Sequence, residues 1–209
     1  MVKQRRPRGD SQGALYRAAA QEFAERGFEA ARVDRIAARA HVNKAMLYYH
    51  YRSKLGIYVE VLRDMFRAVG VRTRAIADGA GPPDVKLDTW IAAIVEEAAA
   101  RPWFPPIMLR ELASGAPHID EATFAMMNAV YLGVRDVIVQ GQRDRIFRDA
   151  DPLLTYLMVL PPILIFFVRQ RVIAEHAGVQ GLAAAAPRQT DEFVRHVQRS
   201  ARAMLRSDT

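Results

Sequence analysis

The 209 residues include no cysteine. Disulfides, zinc–thiolate sites and thiol nucleophiles are thereby excluded, while the redox compartment stays open. The chain also lacks a glycine-rich phosphate loop, a metal-spaced histidine pair and a G-x-S-x-G elbow. His118 and Asp120 are close in sequence but have no evident third partner, so neither an enzyme, a metal site nor a cofactor is expected. No stretch alternates apolar and polar residues with the period of a strand. The basic start, MVKQRRPRGD, has no apolar core of a secretion signal, and a cytoplasmic protein is expected.

Long uncharged runs are scarce too. One occurs, residues 152–168, rich in Leu, Ile and Phe. It lies at the lower edge of the roughly 17–25 residues that cross a bilayer. Pro161-Pro162 falls in its middle, where missing N–H groups are costly in lipid. A helix buried in a core or a subunit interface is expected instead, with no membrane partner.

What is present is 51% hydrophobic and 25% charged, the composition of a folded, soluble chain. Residues 1–80 hold 16 Lys and Arg against 8 Asp and Glu, whereas residues 81–209 hold 14 against 15. All the excess positive charge thus sits in the first part. An anionic partner for that part, or simply a basic surface, would account for it.

Apolar spacing is helical throughout, and an all-α fold is predicted. The expected helices are 11–26, 33–40, 44–51 and 53–77, then 84–100, 103–113, 118–142, 151–177 and 188–206. Leu15, Ala19 and Phe23 form the buried stripe of the first. Glycine and proline separate the rest, most strongly at 79–83. The alanine run 183–186 reads as a loop or frayed helix end.

Residues 33–51 have the form of a helix-turn-helix. Ile36, Ala37, Val42 and Leu47 brace the two short helices against each other. Asn43 caps the second, leaving its first turn free to face phosphate or base edges. Its outer side chains, Lys44, Tyr48, Tyr49 and His50, suit phosphate oxygens and thymine methyls. Pattern and charge alone also permit a small bundle with exposed tyrosines.

The combination is more specific than its parts. Residues 14–62, ALYRAAAQEFAERGFEAARVDRIAARAHVNKAMLYYHYRSKLGIYVEVL, resemble the DNA-binding domain of the tetracycline-repressor (TetR) family. The shared elements run from Phe23 to Phe28, Val33 to Ala40, Val42 to Tyr51, and through Arg52-Ser53-Lys54. The resemblance implies that Lys44, Ala45 and Met46 face base edges and that Tyr48, Tyr49 and His50 meet the backbone and nearby thymines. Lys54 is placed for another phosphate, Arg32 and Arg35 for further contacts, and Asn43 for the helix start. Leu47 and Tyr51 match core positions. Two departures stand out: no Ser or Thr caps the second helix at Ala31-Arg32-Val33, and His41 holds the turn position usually given to glycine. The arm with Lys3, Arg5, Arg6 and Arg8 could reach the DNA or act as a solubilising tail.

The resemblance further implies an N-terminal three-helix helix-turn-helix domain (1–52), a connecting helix (53–78) and a C-terminal helical ligand-binding and dimerisation domain (79–209). The expected partners are double-stranded DNA with a palindromic operator, a second copy of the chain, and a small, largely apolar effector that releases a repressor. A ligand-independent regulator or an activator is the alternative. For the effector, Trp90, Trp103, Phe104, Met108, Phe124, Met127, Tyr131 and Tyr156 are candidate lining residues, by virtue of adaptable sulfur and aromatic groups. Met126 shares that character. Arg110, Glu111 and His118 are polar candidates for orienting it.

Overall fold

A computed structural model of the chain describes residues 8–176 and 189–206. Among them are nine α-helices and one isolated antiparallel bridge, Phe147 with Arg206. The basic arm up to Arg6 and the alanine run 183–186 lie outside the described residues.

Helix α1 (Arg8–Ala30) buries Leu15, Ala19 and Phe23 completely, as the four-residue spacing predicted. It starts three residues before the expected 11–26 and does not stop at Gly27. Gly27 instead breaks the helix at φ 73° and ψ 172°, and a last short turn follows. That backbone suits a residue without a Cβ. Helix α2 (Val33–Arg39) buries Ile36 and Ala37, and α3 (Lys44–Tyr51) buries Leu47. Arg32 heads α2 without a side-chain cap, in keeping with its sequence. Asn43 does cap α3, its side chain accepting from the Ala45 amide at 2.8 Å. His41 takes up the positive φ of the turn, at 54°, which histidine tolerates better than most residues.

Helix α4 (Lys54–Asp78) is capped by Ser53, whose hydroxyl accepts from the Gly56 amide at 2.9 Å. Its start packs on α1 and α3, and its length runs against α5 (Pro83–Ala100) and α7 (Glu121–Arg143). At the α4–α7 crossing Gly133 faces the Thr73 carbonyl, where a Cβ would sit 3.2 Å away. Helix α6 (Phe104–Ala113) lies between α1 and α8 (Pro152–Glu175), and α9 (Thr190–Leu205) packs on α5 and α8. Helix α7 begins three residues after the expected 118. The turn before it uses positive φ at Gly115 and Ala116, and Asp120 then caps Thr123 at 2.9 Å. Hydrogen bonds from Thr123 and Arg63 hold the Asp120 carboxyl down to about 2.

Helix α8 runs unbroken through Pro161 and Pro162. Neither proline can donate to the carbonyl one turn back, at Leu157 and Met158. Within a single chain α8 is less buried than its sequence suggested: Leu154, Met158 and Ile165 are each more than half exposed.

Two glycines give opposite expectations. A Cβ at Gly141 would run into the Phe147 ring, whereas at Gly70, within α4, it meets only Ala129 at 3.9 Å. Gly141→Ala should lower stability by about 1–3 kcal/mol through overpacking. Gly70→Ala should raise it by about 0.5–1 kcal/mol through helix propensity. Urea denaturation at one fixed protein concentration measures both; equal signs would contradict this packing.

Candidate DNA-binding surface and interior cavity

Helix α3 is held from behind and open in front. Leu47 is fully buried and Met46 half-buried against the core, while Asn43, Lys44, Ala45, Tyr48 and Tyr49 are exposed, Tyr49 by 67%. Lys44 at the start of α3 pairs with Asp34 of α2 at 2.9 Å, which raises its pKa and keeps it a cation. Arg32 and Arg35 are exposed as well. Arg35 stands 3.8 Å from Glu22, a carboxylate of α1 that is 2% exposed. Arg52, exposed just past α3 at φ 67°, belongs with these cations although the contact set omitted it.

Two residues of that set face inward. The His50 imidazole Nε2 lies 3.1 Å from the Ser11 hydroxyl of α1, and its ring meets those of Tyr49 and Tyr51. Lys54 was expected to reach a phosphate. Its ammonium instead donates to the carbonyls of Phe28, Glu29 and Ala31 at 2.8, 3.3 and 3.3 Å. It also lies 4.2 Å above the centre of the Phe28 ring. Carbonyls at a helix C-terminus carry the negative end of the dipole, so they compete directly with phosphate for this cation. Tyr51, half-buried, donates to the Gln12 carbonyl at 3.1 Å.

The same end of α1 receives a second cation. Arg110 of α6 donates to the carbonyls of Ala24 and Phe23 at 2.6 and 3.4 Å. Beside it the buried Glu111 accepts the Tyr58 hydroxyl at 2.8 Å and the His118 amide at 2.8 Å, and the His118 ring nitrogen Nδ1 lies 3.2 Å away. Burial, and then the bond to Glu111, pushes the Tyr58 hydroxyl pKa up. His118 packs on Phe28 with ring centres 4.1 Å apart. Arg110, Glu111 and His118 therefore join α1, α4 and α6, and do not line the cavity as expected.

That cavity, about 240 Å³, lies between α4, α5, α6, α7 and α8. Four of the eight candidate residues line it: Phe104, Met108, Met127 and Tyr156. The other four do not. Trp90 is wholly buried in the core, edge-on to Tyr156. Trp103 packs against Tyr16 and Phe104. Phe124 is 54% exposed, and Tyr131 lies behind Tyr156 at 5.4 Å. Among residues missing from the sequence reading, α4 contributes Met65, Phe66 and Val69, and α8 contributes Leu160, Pro161 and Leu164. No local signal marked them, because apolar side chains on any crossing helix look alike in sequence.

Residues 11–61 match the family described as bacterial regulatory proteins, tetR family. A 59-residue stretch is 48% identical to the HTH-type transcriptional activator FasR of Mycolicibacterium smegmatis, covering 28% of this chain and 27% of that protein. The HTH-type transcriptional repressor NicS of Pseudomonas putida is 25% identical over 155 residues, 73% of each chain. The structure of the ketosteroid transcriptional regulator KstR2 of Mycobacterium tuberculosis has the same fold, with a TM-score of 0.76, 22% identity and 99% of both chains covered. The matched segment runs from α1 into the start of α4 with the capped, outward-facing α3 at its centre, and this N-terminal part of the chain is similar to the DNA-binding domain of the TetR family of transcriptional regulators.

Proposed function

We propose that the protein is a cytoplasmic homodimeric repressor, released from a palindromic operator when a small, largely apolar effector fills the cavity. One observation carries this reading: α6 serves both sites. Phe104, Met108 and Leu112 form part of the cavity wall, while Arg110 and Glu111 of the same helix hold α1 and Tyr58. A molecule that displaces α6 also displaces the end of α1, and with it α3. Effective release requires the effector to favour the DNA-incompetent arrangement by several kcal/mol.

In this reading residues 1–52 contact DNA, 53–78 connect, and 79–209 bind effector and partner. Arg32, Arg35, Asn43, Lys44, Ala45, Met46, Tyr48 and Tyr49 supply the DNA surface, while His50 and Lys54 brace it from behind. The partner seats on the exposed stripe of α8, Leu154, Met158, Ile165 and Val172, an apolar surface of the kind that subunit contacts cover. Helices α7 and α8 are each long and apolar enough to cross a membrane. The paired prolines of α8 and the packing of α7 on α4 favour the dimer reading. Activation is the second reading. It draws on the identity to FasR, which is confined to 59 residues; the likeness to NicS spans far more of the chain.

Selection of bound fragments from a random double-stranded pool tests the DNA arm. The expected product is one inverted repeat whose half-sites are spaced for recognition helices about 34–36 Å apart, with degenerate enrichment for Lys44→Ala. Enrichment of nothing, with binding that only weakens steeply in salt, would leave a non-specific anchor.

A second outcome follows from the Lys44–Asp34 pair. Asp34→Asn frees Lys44 and removes a negative charge from the surface facing phosphate. Operator affinity should rise roughly two- to fivefold, with the salt slope steepening by about 0.9 for one added phosphate contact. Unchanged or weaker binding across a salt titration would place Lys44 away from the DNA.

A further inference from the structure

The cavity's chemistry narrows its occupant, an argument that rests on the effector reading above. Among the described residues, none that lines it is charged, and Tyr156 supplies the one polar side chain. The Tyr156 hydroxyl has no hydrogen-bond partner among the described residues. Its ring is fixed from two sides, by Trp90 at 6.2 Å and Tyr131 at 5.4 Å between ring centres. Burial pushes its pKa up to about 12, so it stays a neutral donor at physiological pH. A hydroxyl left without a partner in an apolar lining offers a ligand oxygen a hydrogen bond.

Leu157 and Pro161 of α8 also line the cavity and add only apolar side chains to it. The wall of α8 therefore offers one uncommitted donor in an otherwise apolar lining. A ligand hydroxyl oxygen can accept from it. A carboxylate can accept from Tyr156 too, but it finds no cation among the lining residues to offset the cost of its charge.

Size sets the remaining limit. An apolar cavity of roughly 150 Å³ accommodates benzene; the cavity here is about 240 Å³. We propose that it takes a neutral molecule of about ten carbon atoms bearing one hydroxyl, held by Tyr156 of α8 as its sole polar side-chain contact. Anionic amphiphiles of the same carbon skeleton are rejected.

Three commercial probes of one skeleton, naphthalene, 2-naphthol and 2-naphthoate, test this by isothermal titration calorimetry on the full chain. The expected order places 2-naphthol roughly three- to tenfold tighter than naphthalene, the range of a single net hydrogen bond. The charged 2-naphthoate should bind at least about 100-fold more weakly than 2-naphthol, an arm that needs no variant. In Tyr156→Phe, which keeps the ring contacts, the 2-naphthol to naphthalene ratio should fall towards one. Binding of 2-naphthoate as tight as 2-naphthol, or an unchanged ratio in Tyr156→Phe, overturns the ligand class while leaving the cavity a binding site. Failure of all three probes to bind overturns the effector reading together with this inference.

Discussion

The carbonyl end of α1 is where the two halves of the chain meet. Gly27 breaks the helix one turn before its end and leaves a cluster of backbone carbonyls facing the bundle. Lys54 from α4 and Arg110 from α6 collect them, and the Phe28 ring fills the space between Lys54, Tyr58 and His118. Each cation satisfies acceptors that would otherwise lie partly buried and unpaired. Since α1 carries the core against which α3 packs, the position of the recognition helix is set by where α4 and α6 hold this end.

The arrangement also settles how charge is divided. The first part of the chain is strongly basic, yet many of its cations are committed to internal partners: Arg39 makes a two-point contact with Glu25 at 3.0 and 2.9 Å, Lys44 pairs with Asp34, and Lys54 serves α1. Arg32, just before α2, and Arg52, just after α3, are exposed. A net charge read from composition measures the field around this surface; it does not say which ammonium or guanidinium is free to meet a phosphate.

The parts of the structure that were legible in sequence are those governed by local rules. The Leu15, Ala19 and Phe23 stripe, the Asn43 and Ser53 caps and the positive φ of His41 follow from periodicity, side-chain hydrogen bonding and backbone sterics within a few residues. The carbonyl partners of Lys54 were not legible because they lie 23 to 26 residues away, beyond local rules. The cavity was half legible for a related reason. Methionine and aromatic residues flagged helices 84–142, but whether Trp90 faces the core or Phe124 faces water depends on how α4 and α8 cross them. The open stripe of α8 was likewise hidden, since a run apolar on every side gives no hint of which side its own chain covers.

The central claim is that the cavity and the recognition helices move as one through α6 and the end of α1. The absence of native cysteine makes a single introduced thiol uniquely addressable. Gln21 is exposed on α1, the helix that carries α3. A spin label at Gln21→Cys in each copy of the dimer reports their separation by double electron–electron resonance. The expected result is one narrow distance distribution with operator DNA bound, shifting when 2-naphthol saturates the cavity and DNA is released. Release of DNA by 2-naphthol with the same distance distribution in both states would contradict the account, since the cavity would then act by some route other than the spacing of the recognition helices.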